Sequence, residues 1–86
     1  MAWIIEWDNK AEKELNKLPR PIQYQVLKYL RERTTENPRR FGKALSYDKA
    51  GLWRYRVGDY RIVCTIEDHH LVILVLSVAH RKNVYR

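Results

Sequence analysis

Residues 52 to 63 read Leu-Trp-Arg-Tyr-Arg-Val-Gly-Asp-Tyr-Arg-Ile-Val, two alternating strand-like runs separated only by Gly58 and Asp59. Glycine at the first central position of a two-residue loop, followed by a polar residue, signals a type II′ hairpin, whose twist matches that of the strands it joins. So short a loop also dictates the pairing register. Val57 then opposes Tyr60, Arg56 opposes Arg61, Tyr55 opposes Ile62, Arg54 opposes Val63 and Trp53 opposes Cys64. One face of this hairpin carries Trp53, Tyr55, Val57, Tyr60, Ile62 and Cys64 and is expected to meet the core. The other gathers Arg54, Arg56 and Arg61, with Arg56 directly across from Arg61, where like charges cost about 0.2 to 1 kcal/mol. Nothing in the fold demands that repulsion. The face is either a solvated surface that tolerates it or an anion site, because guanidinium forks match phosphate oxygens.

Working outward, Leu71 to Val78 is almost continuously apolar and predicts a central strand covered on both faces. Lys43 to Ser46 is a possible extra edge strand. Trp3 to Trp7 alternates as a short strand, and Asp8 is placed to cap a helix whose stripe is Ala11, Leu15 and Leu18. Lys10, Lys13 and Lys17 line another side of it, and Leu18-Pro19 ends it. Pro21 suits the first turn of a second helix, where its missing N–H costs nothing, and Ile22, Val26, Tyr29 and Leu30 form that helix's buried stripe. The expected class is α+β: an N-terminal strand, a two-helix hairpin, then an antiparallel sheet of three to four strands with the helices on one face. The chain has 86 residues, is read as one domain over 1–86, and shows no repeat or linker.

Composition narrows the function. The single cysteine, Cys64, excludes an internal disulfide and a cysteine-based zinc cluster and fits a reducing compartment. The start, MAWIIEWDNK, lacks the basic and long apolar regions of a secretion signal. Leu71 to Leu76, the longest apolar run, is far short of the roughly 20 residues that span a bilayer, so the expectation is a soluble cytoplasmic protein without a membrane partner. Lys and Arg number 17 against 10 Asp and Glu, a net charge of +7. The excess is lopsided: residues 1–36 hold seven basic and six acidic side chains, residues 37–86 ten and four. A localised basic surface suits nucleic acid or an acidic partner protein.

The strand pair from Leu52 to Val63 and the ending His80-Arg81-Lys82-Asn83-Val84-Tyr85 resemble the RelE/ParE toxin superfamily, specifically its RelE branch. The N-terminal strand, the helices joined at Leu18-Pro19 and the basic segment before Trp53 fit as well, so the resemblance spans nearly the whole chain. It implies a type II toxin held inactive by a cognate antitoxin, with the toxin–antitoxin complex binding its own operator DNA. RelE-like members enter the ribosomal A site and cut mRNA with the transcript's own 2′-hydroxyl as nucleophile and no metal or other cofactor. ParE-like members share the fold but inhibit DNA gyrase.

On this resemblance Arg61 and Arg81 match the family's phosphate-binding arginines, and Tyr85 matches a tyrosine lying against the substrate, where it could stack on a base or polarise the 2′-hydroxyl. Arg54 and Arg56 stand where some relatives carry lysines, and arginine, always protonated, is a poor general base. His80 is therefore the expected proton carrier, whereas His69 and His70, in a turn beside Asp68, read as surface residues. Lys43, Lys49 and Lys82 complete the expected RNA-contacting set with Arg54 and Arg56. Three functions compete: a ribosome-dependent endoribonuclease acting through His80, Arg81, Tyr85 and Arg61; a gyrase inhibitor, which needs no proton carrier; and a non-catalytic basic RNA-binding module, which would expose aromatic platforms rather than bury them. The nuclease reading accounts for the most residues, and it expects the antitoxin to be acidic where it covers residues 37–86.

Overall fold

The computed structural model describes residues 2–45 and 51–83. Its elements run β1 (Ile4–Trp7), α1 (Asn9–Asn16), α2 (Arg20–Arg33), β2 (Lys43–Ala44), β3 (Leu52–Val57), β4 (Tyr60–Glu67) and β5 (Val72–His80). The strands form one five-stranded sheet ordered β1-β5-β4-β3-β2. All pairings are antiparallel except β1 with β5, which run parallel. The sheet is thus wider than expected and mixed, because the N-terminal strand joins its far edge after the chain has crossed over through both helices.

The β3–β4 register is the one the turn dictates, from Val57↔Tyr60 to Trp53↔Cys64. Gly58 takes φ +59, and Leu71 is the only described non-glycine residue with positive φ, which leaves Asp59 on the negative side as a II′ turn requires. Other boundaries differ from expectation. Leu71, at φ +55, cannot continue an extended strand, so β5 starts at Val72 and runs on to His80. The β2 ladder covers only Lys43 and Ala44; Ser46 lies outside the described residues. Only one face of β5 is fully covered: Ile73, Val75 and Val78 are buried, while the residues between them keep partial exposure. The helices pack on that face alone.

Helix α1 begins where Asp8, extended at φ −65 and ψ 151, accepts the Lys10 N–H, a side-chain cap worth about 1 kcal/mol. Helix α2 has no such cap and opens on Pro19 with Pro21 in its first turn. The Gln23 amide bridges the two helices by donating to the Leu18 carbonyl at 2.8 Å and that of Asn16 at 3.3 Å. Ala11 and Leu15 from α1 and Val26 and Leu30 from α2 close over Tyr55, Ile62, Cys64, Ile73, Val75 and Val78. Burying a large apolar side chain contributes about 1.5 to 3 kcal/mol.

The segment before β2 lies along the β3 edge. The Tyr55 hydroxyl donates to the Pro38 carbonyl and Trp53 Nε1 donates to that of Phe41 at 2.8 Å. Gly42, at φ +75, passes so close that a Cβ there would come within 2.3 Å of the Arg54 carbonyl oxygen. Arg39 extends the attachment with a paired contact to Asp68 at 2.8 and 2.9 Å, which holds that carboxyl below the usual carboxylate range.

Burial pushes the Cys64 thiol up from its ordinary 9.0 to about 12, and burial likewise raises the Tyr55 phenol. Both groups hold their protons more tightly in the folded chain than in the unfolded one. Their contribution is present in full below about pH 9 and is lost as pH rises toward about 12. The urea midpoint should therefore fall steadily above about pH 9. Cys64→Ala should show a shallower alkaline fall; an unchanged slope would assign the loss to other groups.

Candidate functional site

Cross-strand rows extend the arginine face beyond the hairpin. Lys43 pairs with Arg54, Arg54 with Val63, and Val63 with Ser77; the next row is Arg56, Arg61 and Ala79. Lys43, Arg54, Arg56 and Arg61 therefore share the sheet face turned away from the helices, as two adjacent like-charged cross-strand pairs. Along the β3 edge, a groove lined by Tyr29, Phe41, Gly42, Lys43, Arg54 and Arg56 leads from this face toward α2. The Arg33 guanidinium lies 5.4 Å and that of Arg40 5.8 Å from the Phe41 ring centre, so the approach to the groove is also cationic.

Both arginines expected to bind phosphate are tied to one turn. Arg61 Nη1 donates to the carbonyls of Gly58 and Tyr60, each at 3.1 Å. The Arg81 backbone N–H donates to the Asp59 carbonyl at 2.7 Å, and its Nε lies 3.9 Å from the Asp59 carboxylate. Arg81 and Asp59 are both well exposed, and an ion pair at that distance contributes little to stability. It does mark where an anion can approach Arg81.

Arg61 corrects one expectation. Its place opposite the core predicts an exposed side chain whose truncation leaves no gap, yet Arg61 is only 9% exposed. Folded back over its own hairpin, it satisfies turn carbonyls and belongs to the structure as well as to the cationic face. Arg56, its cross-strand partner, is exposed.

His80 corrects a second. It pairs with Tyr60, which lies on the helix side with Ile62, and the two rings meet edge to face at 5.5 Å. His80 and Arg61 thus stand on opposite faces of the sheet. The cause is a bulge: Val63 pairs with Ser77 but Cys64 with Val75, so Leu76 is an extra residue that shifts the alternation of everything after it. His80 Nδ1 accepts the Lys82 N–H at 3.3 Å, which favours the tautomer carrying its proton on Nε2.

Lys82 is exposed in the turn after β5, and His69 and His70 are exposed in the β4–β5 turn. Lys49 and Tyr85 lie outside the described residues. Asp59 and Tyr60 are the residues that the sequence reading passed over. The turn signal located Asp59 but not its contact with Arg81, and pairing Tyr60 with His80 requires a register that the bulge conceals.

Arg61→Ala should lower stability by about 1 to 3 kcal/mol, because two part-buried hydrogen bonds from a charged donor are lost. Arg81→Ala should stay within about 0.5 kcal/mol of the parent. Thermal melts of the two variants side by side check the contrast; equal melting temperatures would mean that the Arg61 contacts carry no net stability.

Residues 5–85 match the family model described as the ParE toxin of the type II toxin–antitoxin system parDE. The chain is 33% identical to toxin RelG of Mycobacterium tuberculosis over 86 residues, covering 100% of this chain and 99% of that protein. It is 36% identical to toxin RelE of the same organism over 76 residues, 88% of this chain and 78% of the relative. In structure it is similar to the toxin–antitoxin complex RelBE2 of M. tuberculosis, with a TM-score of 0.87 and 30% identity over 96% of this chain and 95% of the other. The isolated Escherichia coli RelE toxin gives a TM-score of 0.79 and 28% identity, covering 92% and 84%. Matched along nearly all of its length in sequence and in fold, the chain belongs to the RelE/ParE family of type II toxins, on its RelE side.

Proposed function

We propose that the protein is a ribosome-dependent endoribonuclease that arrests translation by cutting mRNA in the cytoplasm, and that a cognate antitoxin restrains it. The observation that carries this reading is the anchoring of Arg61 and Arg81 on the single Gly58–Asp59 turn, beside Arg56. In the reaction the 2′-hydroxyl loses its proton and attacks the adjacent phosphorus, while the bond to the 5′-oxygen breaks and that oxygen takes up a proton. Charge grows on the phosphate oxygens between those events. Preorganised cations are worth most at that point, each about 3 kcal/mol by analogy with oxyanion-hole donors. Arg61, locked by carbonyls, and Arg81, exposed at the rim, fit complementary parts: a fixed charge and a reaching one.

His80 remains the proposed proton carrier. With Nδ1 accepting the Lys82 N–H, the neutral ring carries its proton on Nε2 and can donate a hydrogen bond to the departing 5′-oxygen; delivering a proton to that oxygen requires the imidazolium, formed as Nδ1 leaves Lys82 and is protonated. Lys43, Arg54, Arg56, Lys49 and Lys82 are assigned to holding the RNA backbone, and Tyr85 to stacking or polarising at the 2′-hydroxyl. The same cationic face supports an antitoxin that is acidic where it covers residues 37–86, and the resemblance extends the proposal to operator DNA as the target of the toxin–antitoxin complex. The ParE description of the matching family model favours a second reading, a gyrase inhibitor without nuclease activity.

Induced expression followed by mapping of mRNA 5′ ends, with and without ribosomes, tests the proposal. Cleavage only with ribosomes supports it; growth arrest with intact mRNA and impaired supercoiling supports the second reading. Arg81→Ala should lower single-turnover cleavage by about 10² to 10³-fold without changing the melt. His80→Gln should lower it by about 10² to 10⁴-fold. Cleavage near wild type in His80→Gln would move proton transfer to Tyr85, the RNA or the ribosome.

A further inference from the structure

We propose that Glu14 is a positioning residue: its carboxylate holds the β5 bulge that sets His80 against Tyr60 and brings Arg81 onto the Asp59 turn. The inference rests on the nuclease reading for its functional consequence, and on geometry alone for its structural half.

Strand β1 accompanies β5 only as far as the pair Trp7↔Val75. One further bond follows, from the Asp8 N–H to the Val75 carbonyl, and then the chain turns away into α1. Past Val75, no strand among the described residues lies beside that flank of β5. The Val78 N–H points into this gap, and Glu14 Oε1 accepts it at 2.9 Å from α1. A backbone donor left unsatisfied in a partly buried setting costs about 1 to 3 kcal/mol, so the carboxylate stands in for the missing strand.

Glu14 is a surprising occupant of its helix position. It stands next to Leu15 and three residues from Ala11, both of which are buried, and it is itself half-buried although apolar packing has no use for a carboxylate. Its bond to Val78 spans 64 positions of sequence and lands two residues after the extra residue Leu76.

The bulge decides which face of the sheet each later residue of β5 takes. With Leu76 as an extra residue, Val78 and His80 fall on the helix face, and Ala79 falls opposite Arg61. Arg81 follows in the turn after the strand, with its N–H on the Asp59 carbonyl and its Nε 3.9 Å from the Asp59 carboxylate. Strict alternation from Val75 would reverse the assignment, because a one-residue slip turns every later side chain to the other face. His80 would then stand on the Arg61 face, away from Tyr60. Bulges commonly re-aim a side chain beside an active site, and here the re-aimed side chain is His80, the proposed proton carrier, with Arg81 following it onto the Asp59 turn.

The test compares Glu14→Ala, Glu14→Leu and Glu14→Gln. Leucine keeps the packing and removes the acceptor; glutamine keeps an acceptor oxygen. Steady-state cleavage on ribosomes gives kcat and KM, and NMR on the same proteins follows Val78 amide exchange and the Tyr60–His80 ring contact. The alanine and leucine variants should lose about 10²-fold in kcat with little change in KM, as misplacement by about 1 Å does. Their Val78 amide should exchange faster and their Tyr60–His80 contact should weaken. Glutamine should restore all three to within a few-fold of wild type. Wild-type kcat in Glu14→Leu would overturn the proposal, as would lost kcat with Val78 protection and the ring contact unchanged. A wild-type protein that cuts no mRNA would remove the nuclease reading, while the exchange and ring-contact measurements would still decide whether Glu14 holds the bulge.

Discussion

The two-residue turn at Gly58 and Asp59 sets the register of β3 on β4, and the register separates core from cationic face. Tyr55, Ile62 and Cys64 are delivered to the helices by the same alternation that sends Arg54, Arg56 and Arg61 outward. The turn is also where the outward face is tied down, since its carbonyls accept from Arg61 and from the Arg81 backbone. A one-residue slip in that pairing would turn one strand's side chains to the opposite face. Core packing and the proposed chemistry therefore depend on one backbone conformation, which Gly58 adopts at φ +59 without a Cβ penalty.

The second constraint lies at the opposite edge of β4. The bulge at Leu76 is invisible from the hairpin, yet it determines what the last part of β5 presents. Helix α1 serves two purposes there. Ala11 and Leu15 seal the core, while Glu14 reaches the Val78 N–H where β1 has already departed. A short N-terminal strand followed at once by a helix supplies both the parallel edge and the substitute for it.

Placing Lys43 beside Arg54 and Arg56 beside Arg61 concentrates like charge in two neighbouring pairs, each of which opposes stability by about 0.2 to 1 kcal/mol. Carbonyl acceptors around Arg61 and the Asp59 carboxylate beside Arg81 offset part of this. A bound phosphate backbone would offset more. Repulsion maintained on one face and relieved by an anionic ligand is consistent with the proposed RNA substrate and with an acidic antitoxin competing for the same surface.

Local chemistry determined much of this protein. The II′ turn signal, the period-two alternation around it, the Asp8 cap and the stripes of α1 and α2 are short-range patterns, and each reads directly from neighbouring residues. They were enough for the hairpin register, the helix pair and the grouping of Arg54, Arg56 and Arg61. Tertiary structure decided what depends on distant segments. The parallel docking of β1 on β5 joins residues nearly 70 positions apart, and no local pattern encodes it. The burial of Arg61 depends on how its flexible side chain folds over the turn. The face of His80 depends on a bulge within a run so uniformly apolar that alternation leaves no mark, where the extra residue is revealed only by pairing with β4 and by a carboxylate from α1.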